Sequence, residues 1–398
     1  MIKQMFKLIW NRKRRNFLMM TGIFISFFSL FLVMTTFNYN LGNYLKPLGF
    51  DYHDVWYISM DWNVQSGAEV STTIRQVENA LRAIPEVESF TYSRSYLFNP
   101  AATSMDDFTF NGKTLSSHYV EGGDNYAEIL KLELVKGRWF DQRDNAATRI
   151  PIVINQRLQE KLIGEAPVIG AILTCDDEEY EVIGLVDEFR NGGQFTGTKN
   201  LIFMRVELDD KLGWERFSTT EFGRILLRVR PGSGVDVEER ILSRVAAIAK
   251  NWTLSITRLE DTRRSANRVS MILPVILAVI CGFLIINVAL GLFGVIWYNT
   301  NRRRAEIGLR RAMGSTVRQV YSQIVGEALV LSTFGIVIGL FFAVQFPLLN
   351  LIPFIATGTY LLSMVIAVVL IYLITVVCAL YPSALAVGIQ PAIALHDE

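Results

Sequence analysis

The stretch NTNRRRAEIGLRRAMGS, residues 299–315, lies between two long apolar runs and sets five arginines and one glutamate within ten residues, 302–311. A helix over 302–313 would place Ala305, Leu309, Ala312 and Met313 on one stripe. It would also pair Arg302 with Glu306 and Glu306 with Arg310 at i,i+4. Gly314 suits the end of such a helix, where a left-handed backbone costs glycine nothing. Thr316 and Gln319 then spell a T-x-x-Q capping box for a second helix. An ordered, charged hairpin at a membrane surface has two readings. One is a topological anchor whose arginines meet anionic lipid; the other is a rigid protrusion that grips a cytoplasmic protein.

The apolar neighbours decide the fold. Residues 17–37 and 269–301 carry no Asp, Glu, Lys or Arg, and none occurs from Ala328 to His396. About 20 apolar residues span a bilayer as a helix, and the last run divides around PLLNLIPFIATG, where Pro347, Asn350, Pro353 and Gly358 supply turn chemistry. The pattern predicts a polytopic α-helical membrane protein with four transmembrane helices, at 17–37, 271–298, 325–346 and 360–382. A large α+β extracytoplasmic domain, 38–270, lies between helices 1 and 2. A basic start (1–16), a charged loop (299–324), a short outer loop (347–359) and a tail (383–398) complete the chain. The first crossing is too long for a signal-peptide core and lacks a small-residue cleavage site, so it reads as an uncleaved anchor.

Orientation follows from the positive charge, which stays cytoplasmic near membrane segments. Lys3, Lys7, Arg12, Lys13, Arg14 and Arg15 precede the first crossing, and the 299–324 loop carries six more basic residues. Both segments are expected inside, with the N- and C-termini. Residues 38–268 hold 27 Lys plus Arg against 34 Asp plus Glu, a net of −7, and are expected outside. Arg258, Arg263, Arg264 and Arg268 run against the trend and read as a solvated helix face.

The ends of the outer segment look alike. VWYISMD (55–61), a stripe of Ile74, Val77, Leu81 and Ile84, and ESFTYSRSY (88–96) read as strand, helix, strand. RILLRVRPG (224–232), a stripe of Ile241, Leu242, Val245 and Ile248, and TLSITRL (253–259) repeat the order. Together they predict a membrane-near subdomain, about 50–96 and 222–260. IPIVIN, YEVIGLV and NLIFMRV are short buried-strand patterns, and QRLQEKLIG is a short helix ended by Gly164; they predict an inserted subdomain, about 97–221.

Catalytic constellations are scarce. The three histidines, His53, His118 and His396, are far apart, and no H-E-x-x-H or C-x-x-C occurs, so neither a catalytic nor a metal site is expected. Asp176, Asp177, Glu178 and Glu179 read as a solvated hairpin tip. GGQFTGTK (192–199) departs from a phosphate loop because Lys199 stands two places after Gly197. Cys175 is alone in the outer domain, so no disulfide within the chain can form there. No nucleic-acid partner is expected.

Within the crossings the residues read as packing elements. No ionisable group sits at mid-membrane, where it would be costly and functional. Glu327 reads as an interfacial residue, and Asn287 and Gln345 as hydrogen-bonding a neighbouring helix. Gly335 and Gly339 have the spacing that lets two helices approach closely.

RRRAEIGLRRAMGSTVRQVYSQIVGEALVLSTFGIVIGL (302–340) resembles the signature of the MacB/FtsX-like ABC transporter permeases. Arg303, Glu306, Ile307, Gly308, Arg311, Ala312, Gly314 and Ser315 match its R-x-x-E-I-G-x-x-R-A-x-G-[AS] segment in order, followed by Glu327, Ala328, Gly335 and Gly339. The architecture and the closing YPSALAVGIQPAIAL are similar too, although Ser383 and Leu385 stand where basic residues often follow Tyr-Pro. The resemblance implies that the hairpin, with Arg310, is the coupling element seated on a cytoplasmic ABC ATPase subunit. This chain carries no G-x-x-x-x-G-K-[ST], so no cofactor is expected on it, and ATP and Mg belong to the partner. The resemblance further implies a second permease subunit, homodimeric or paralogous, contact with membrane lipid, and an adaptor or outer-membrane channel as a further partner. The place implied is the inner membrane of a bacterium. The work implied is mechanotransmission for export or extraction of a lipoprotein, lipid, peptide or drug. The alternative is an FtsX-like regulatory scaffold controlling an extracytoplasmic enzyme.

Overall fold

The computed structural model describes residues 13–61, 67–99, 104–206, 223–302, 307, 309 and 313–387. The chain divides into two compact units, one of 1–42 with 271–398 and one of 43–270. Helix α1 (Lys13–Tyr44) comes first. The large domain then runs β1 (Val55–Asp61), α2 (Gly67–Arg82), β2 (Val87–Tyr92), β3 (Ser104–Phe110), β4 (Lys113–Gly122), α3 (Tyr126–Leu130), β5 (Leu134–Gly137) and β6 (Ile150–Asn155). It continues with α4 (Gln156–Leu158), β7 (Ile172–Cys175), β8 (Glu178–Val186), β9 (Leu201–Arg205), β10 (Gly223–Val229), α5 (Val235–Ile248) and β11 (Thr253–Arg258). Helices α6 (Leu259–Arg302), α7 (Val317–Leu348) and α8 (Thr357–Val387) close the fold.

Among the described residues four helices are long and apolar enough to cross a membrane: Met20–Tyr44, Leu259–Arg302, Val317–Leu348 and Thr357–Tyr381. The chain is therefore a polytopic membrane protein with a large α+β domain between its first two crossings. Within the crossing unit, Ile23, Phe27 and Phe31 of α1 share a buried cluster with Ile336 and Ala343 of α7 and Tyr360, Ala367 and Ile371 of α8. Phe31, Phe346 and Tyr360 bring their rings within 6.3 Å of one another. Helix α6 presents Val279, Phe283, Ile286 and Leu290 outward.

The strands of the large domain form two sheets. The first, ordered β11-β1-β10-β2, is antiparallel throughout. Alternation along β1 sends Trp56, Ile58 and Met60 to one face, where Ile74 and Val77 of α2 and Ile241 and Val245 of α5 cover them. The second sheet, ordered β5-β8-β6-β9-β4-β3-β7, mixes parallel pairs (β4 with β9, β6 with β8) and antiparallel ones. Phe108, Ile152, Ile154, Leu158 and Leu162 pack on one side of it. On the other side Val120, Val153 and Phe203 meet Tyr57 and Leu226 of the first sheet, with Phe50, Phe98, Trp139 and Phe189 filling the space between. The two sheets thus share one core.

Local departures from the expected pattern have physical causes. The helix read in QRLQEKLIG is one α turn that widens to a π turn over Gln159–Ile163 before Gly164 ends it at φ +70°. The basic cluster near α6 is a solvated face only in part. Arg258 lies in β11, its guanidinium 5.1 Å from the Trp56 ring and 3.2 Å from Glu238. Arg263 is half-buried, stacked 4.5 Å over Tyr52 and donating to Gln194 Oε1 at 2.9 Å. Only Arg264 and Arg268 remain exposed. Planar guanidinium groups stack on aromatic faces, which is why these arginines fold inward.

Asp51 anchors the segment that follows α1. Its carboxylate accepts from Lys131 Nζ at 2.8 Å and from the His53 backbone N–H at 3.0 Å, with Arg228 at 3.5 Å. Burial raises the Asp51 pKa, but Lys131, His53 and Arg228 together outweigh it and hold the carboxyl well below the usual carboxylate range. A depressed folded-state pKa contributes stability above the unfolded value, near 4, that is lost as pH falls further. Asp51→Asn is expected to destabilise the large domain by on the order of 1–2 kcal/mol at pH 7. The difference from wild type should shrink as pH drops from 4 toward 2, as urea unfolding followed by tryptophan fluorescence will show; a pH-independent difference contradicts the assignment.

Candidate functional site

Among the described residues no group of three or more His, Cys, Asp or Glu is placed to hold a metal ion. The acidic run 176–179 is the tip of the β7–β8 hairpin, with Asp176 and Asp177 in the left-handed region and Glu179 accepting from Arg149 Nε at 2.6 Å. Cys175 is buried and its thiol is pushed up to about 11, by burial first and by neighbouring carboxylates second. Such a thiol is a poor nucleophile at neutral pH. Burial and the Lys199 ammonium lower the pKa of His118. GGQFTGTK belongs to the irregular connection between β8 and β9, with Gly193 at φ +106°.

The features that remain concern mechanics. In the hairpin Ile307 and Leu309 are helical, and Met313 N–H donates to Leu309 O at 3.0 Å. Gly314 follows at φ +97°, with open space around the position a Cβ would take. Glycine is required there by backbone conformation and not by crowding. Thr316 caps α7 with both halves of a capping box: Gln319 N–H donates to Thr316 Oγ1 at 3.4 Å, and Thr316 N–H to Gln319 Oε1 at 2.8 Å. Leu309, Met313 and Val317 are exposed around this corner, and Ser315 is half-buried. Arg303, Glu306, Gly308, Arg310, Arg311 and Ala312 lie outside the described residues.

Helix α7 continues from that cap into the crossing unit. Glu327 is half-buried and accepts from Gln323 Nε2 at 3.4 Å, one turn back. Gly335 and Gly339 face α1: a Cβ on Gly335 would stand 2.7 Å from Ile23 Cγ2 and 3.1 Å from Met20 O, and one on Gly339 only 2.2 Å from Phe27 Cδ1. The pair is a seat for α1, spaced one turn apart. Polar ties join the other crossings. Ser332 pairs with Thr375 at 2.8 Å, Thr333 with Tyr372 at 3.0 Å, and Asn38 Nδ2 donates to Ser363 Oγ at 3.0 Å. Asn287 and Gln345, expected to bridge helices, instead donate to Phe283 O and Phe341 O of their own helices. A side-chain amide at i can satisfy itself on the carbonyl at i−4, which removes the need for a neighbour. Of the sequence-predicted residues, the structure sets Gly335 and Gly339 of α7 together against α1, and leaves Glu327 and the hairpin corner apart from them along the chain. Ser332, Thr333, Tyr372 and Thr375 had no signal in the sequence beyond being hydroxyls in apolar runs.

Residues 16–243 match the family of MacB-like periplasmic core domains, and residues 271–391 match the FtsX-like permease C-terminal family. The chain is 22% identical over 312 residues to a macrolide export ATP-binding/permease protein MacB of Bdellovibrio bacteriovorus, which covers 75% of this chain and 47% of that protein. An uncharacterized ABC transporter permease, YknZ of Bacillus subtilis, is 21% identical over 221 residues, 54% of either chain. The periplasmic region of MacB from Actinobacillus actinomycetemcomitans aligns with 56% of this chain and 97% of its own length, at 12% identity and a TM-score of 0.39. The chain spans about half the length of the curated relatives it matches.

Proposed function

Because the chain belongs to the MacB/FtsX-like ABC transporter permease family, we propose that it is a permease subunit driven by an ATPase on a separate polypeptide. In this reading the hairpin 302–315 sits on the cytoplasmic ATPase and the large domain faces outward. ATP-driven closure inside is transmitted through the crossings to that domain, for export or extraction of a lipoprotein, lipid, peptide or drug. A second permease subunit completes the assembly.

The observation that carries the proposal is the hairpin corner. A left-handed glycine followed at once by a fully formed capping box fixes the direction in which α7 leaves the hairpin. An anchor for lipid needs positive charge but no fixed corner. From that corner α7 runs to Gly335 and Gly339, where α1 packs so closely that a Cβ at either position would clash with Ile23 or Phe27. Helices α1 and α6 are the two covalent routes from the crossings to residues 43–270. In this reading a push on the corner reaches the large domain along α1 and α6.

Proline at 314 cannot adopt φ +97°, since its ring holds φ near −65°. With the full chain reconstituted beside its co-purifying ATPase, Gly314→Pro is expected to cut the permease-dependent stimulation of ATP hydrolysis about tenfold or more. The circular dichroism of the large domain should not change. Stimulation equal to wild type contradicts the proposal.

A further inference from the structure

Tyr381 opens the closing stretch YPSALAVGIQPAIAL, which the transmission path above does not include. Its ring stacks on Trp297 of α6, with centroids 6.2 Å apart and planes within 14° of parallel. Phe293, one turn earlier on α6, completes a triad, 6.0 Å from the Trp297 ring and 5.8 Å from that of Tyr381. Beside the triad, Ile296 of α6, Ala328 of α7 and Ala379 of α8 are buried in one cluster, with Ile324 and Val325 packed against it. Thr300, one turn beyond Ile296, is buried as well. Three crossings thus meet at their hairpin ends.

Helix α6 ends at Arg302 and α7 begins at Val317, so these two helix ends are the feet of the hairpin. Their separation is set by what the helices touch just behind them. The Ile296–Ala328–Ala379 cluster joins α6 to α7 and α8, and the Ser332–Thr375 and Thr333–Tyr372 hydrogen bonds tie α7 to α8. The aromatic stack joins α8 back to α6 and closes a ring. Farther along, α6 is held less closely. Val288 Cγ2 stands 3.6 Å from the Cβ position of Gly22, and Ser26 Oγ reaches Leu284 O at 3.4 Å. Between α1 and α6 lies a cavity of about 260 Å³, lined by Gly22, Ser26, Asn287, Val288 and Gly291. In lipid, helix association rests on close contact, so the ring is the firm hold on α6 and the cavity is its slack. Aromatic residues at a bilayer edge also serve as an interfacial belt. A belt needs rings at one depth but no parallel faces between two helices, whereas offset stacking is what bound aromatic pairs prefer.

We propose that Trp297 and Tyr381 are positioning residues for the hairpin: their stack closes the ring that holds its two feet at a fixed separation and passes their displacement to α8. The ring is a property of the crossing unit. Its use in transmission rests on the permease reading.

The test is amide hydrogen exchange on the full chain in lipid nanodiscs, comparing wild type with Trp297→Ala, Tyr381→Ala, the two combined, Trp297→Phe and Tyr381→Phe. Trp297 is 37% and Tyr381 59% exposed, so truncating either leaves the buried cluster filled. A closed ring predicts that either alanine variant speeds exchange about tenfold in 296–302 of α6 and in 380–387 of α8 alike, the scale of losing two ring pairs. Each alanine opens the same joint, so the combined variant should be no faster than either alone. The phenylalanine variants keep a ring and should match wild type. Faster exchange confined to the helix that carries the substitution, a combined effect equal to the product of the two, or no change at all overturns the ring. A second arm adds the co-purifying ATPase and ATP. Where wild type stimulates hydrolysis, Tyr381→Ala is expected to lose about tenfold of that stimulation and Tyr381→Phe to keep it. Full stimulation by Tyr381→Ala overturns the positioning role. If wild type gives no stimulation, the permease reading fails, while the first arm still decides the ring.

Discussion

Gly49→Ala is expected to leave the large domain unfolded at temperatures where the wild type is native. Gly49 sits at φ +81°, and a Cβ there would stand 1.5 Å from Glu188 O and 2.6 Å from Glu188 C. Both obstructing atoms are backbone, so no rotamer change makes room. Neither strand of the contact can retreat. On one side Leu48 O accepts from Arg190 N–H and Asp51 N–H donates to Leu130 O; on the other, Phe189 is buried 4.8 Å from the Phe50 ring. A left-handed conformation alone costs a non-glycine residue about 1–2 kcal/mol. Displacing backbone in a close-packed core adds more, for a total of about 4 kcal/mol or above, a large share of the stability of an ordinary domain. For a unit of this size that corresponds to a fall in Tm of about 8 °C or more. Gly232→Ala is the control: it shares a positive φ, +86°, but has open space around the Cβ position. Thermal melts followed by tryptophan fluorescence should separate the two variants widely. Equal losses would mean that backbone strain alone, and not the close approach of 49 to 188, sets the effect.

The second large effect is expected at the seat of α1 on α7. In lipid there is no hydrophobic gain from bringing helices together, so association rests on close van der Waals contact and polar ties. Gly335 and Gly339 supply that contact against Ile23, Met20 O and Phe27, and Phe27 is fully buried. Leucine at 339 would collide with a ring that has no vacancy to move into; valine at 335 would meet a backbone carbonyl. Overpacking a well-filled core costs about 1–3 kcal/mol, and here relief comes only by separating the helices. Gly339→Leu, and more so Gly335→Val with Gly339→Leu, is expected to abolish permease-dependent ATPase stimulation and to lower the thermal stability of the crossing unit. Gly282→Leu on α6, where nothing lies within 4 Å of the Cβ position, should behave as wild type in both assays. If Gly339→Leu retains full stimulation, the close α1–α7 contact is not part of the transmission path.

What the sequence disclosed follows the strength of its periodic signals. VWYISMD was legible to its end residues because four successive strand-favouring residues, Val55, Trp56, Tyr57 and Ile58, open a short apolar run, and all four are buried. The Ile74–Val77–Leu81 and Ile241–Val245 stripes were legible from their helical spacing, and all five side chains are buried. The β3–β4 hairpin escaped, because most of its first strand is exposed and offers no apolar run. Its turn at Asn111-Gly112, both with positive φ, was the available clue. Arg263 and Arg190 show the deeper limit. Their charge marks them as solvated in a chain read alone; only the fold supplies Tyr52, Gln194 and the Lys46–Pro47 carbonyls that draw them inward. The glycine pair of α7 was visible as a spacing, but its partner lies more than 300 residues earlier, and no local pattern points to it. At the hairpin the reverse holds. Its capping box and its glycine corner follow from local chemistry and could be read directly, since a Thr-x-x-Gln after a glycine satisfies its own backbone without distant help.

The most direct measurement replaces Met313, 73% exposed at the hairpin corner, with a photoreactive amino acid in the full chain in native membranes. Irradiation is expected to join the chain to a cytoplasmic ATP-binding subunit, in a yield that changes when nucleotide is added. Adducts to lipid alone, or to a protein on the outer side of the membrane, would contradict the account.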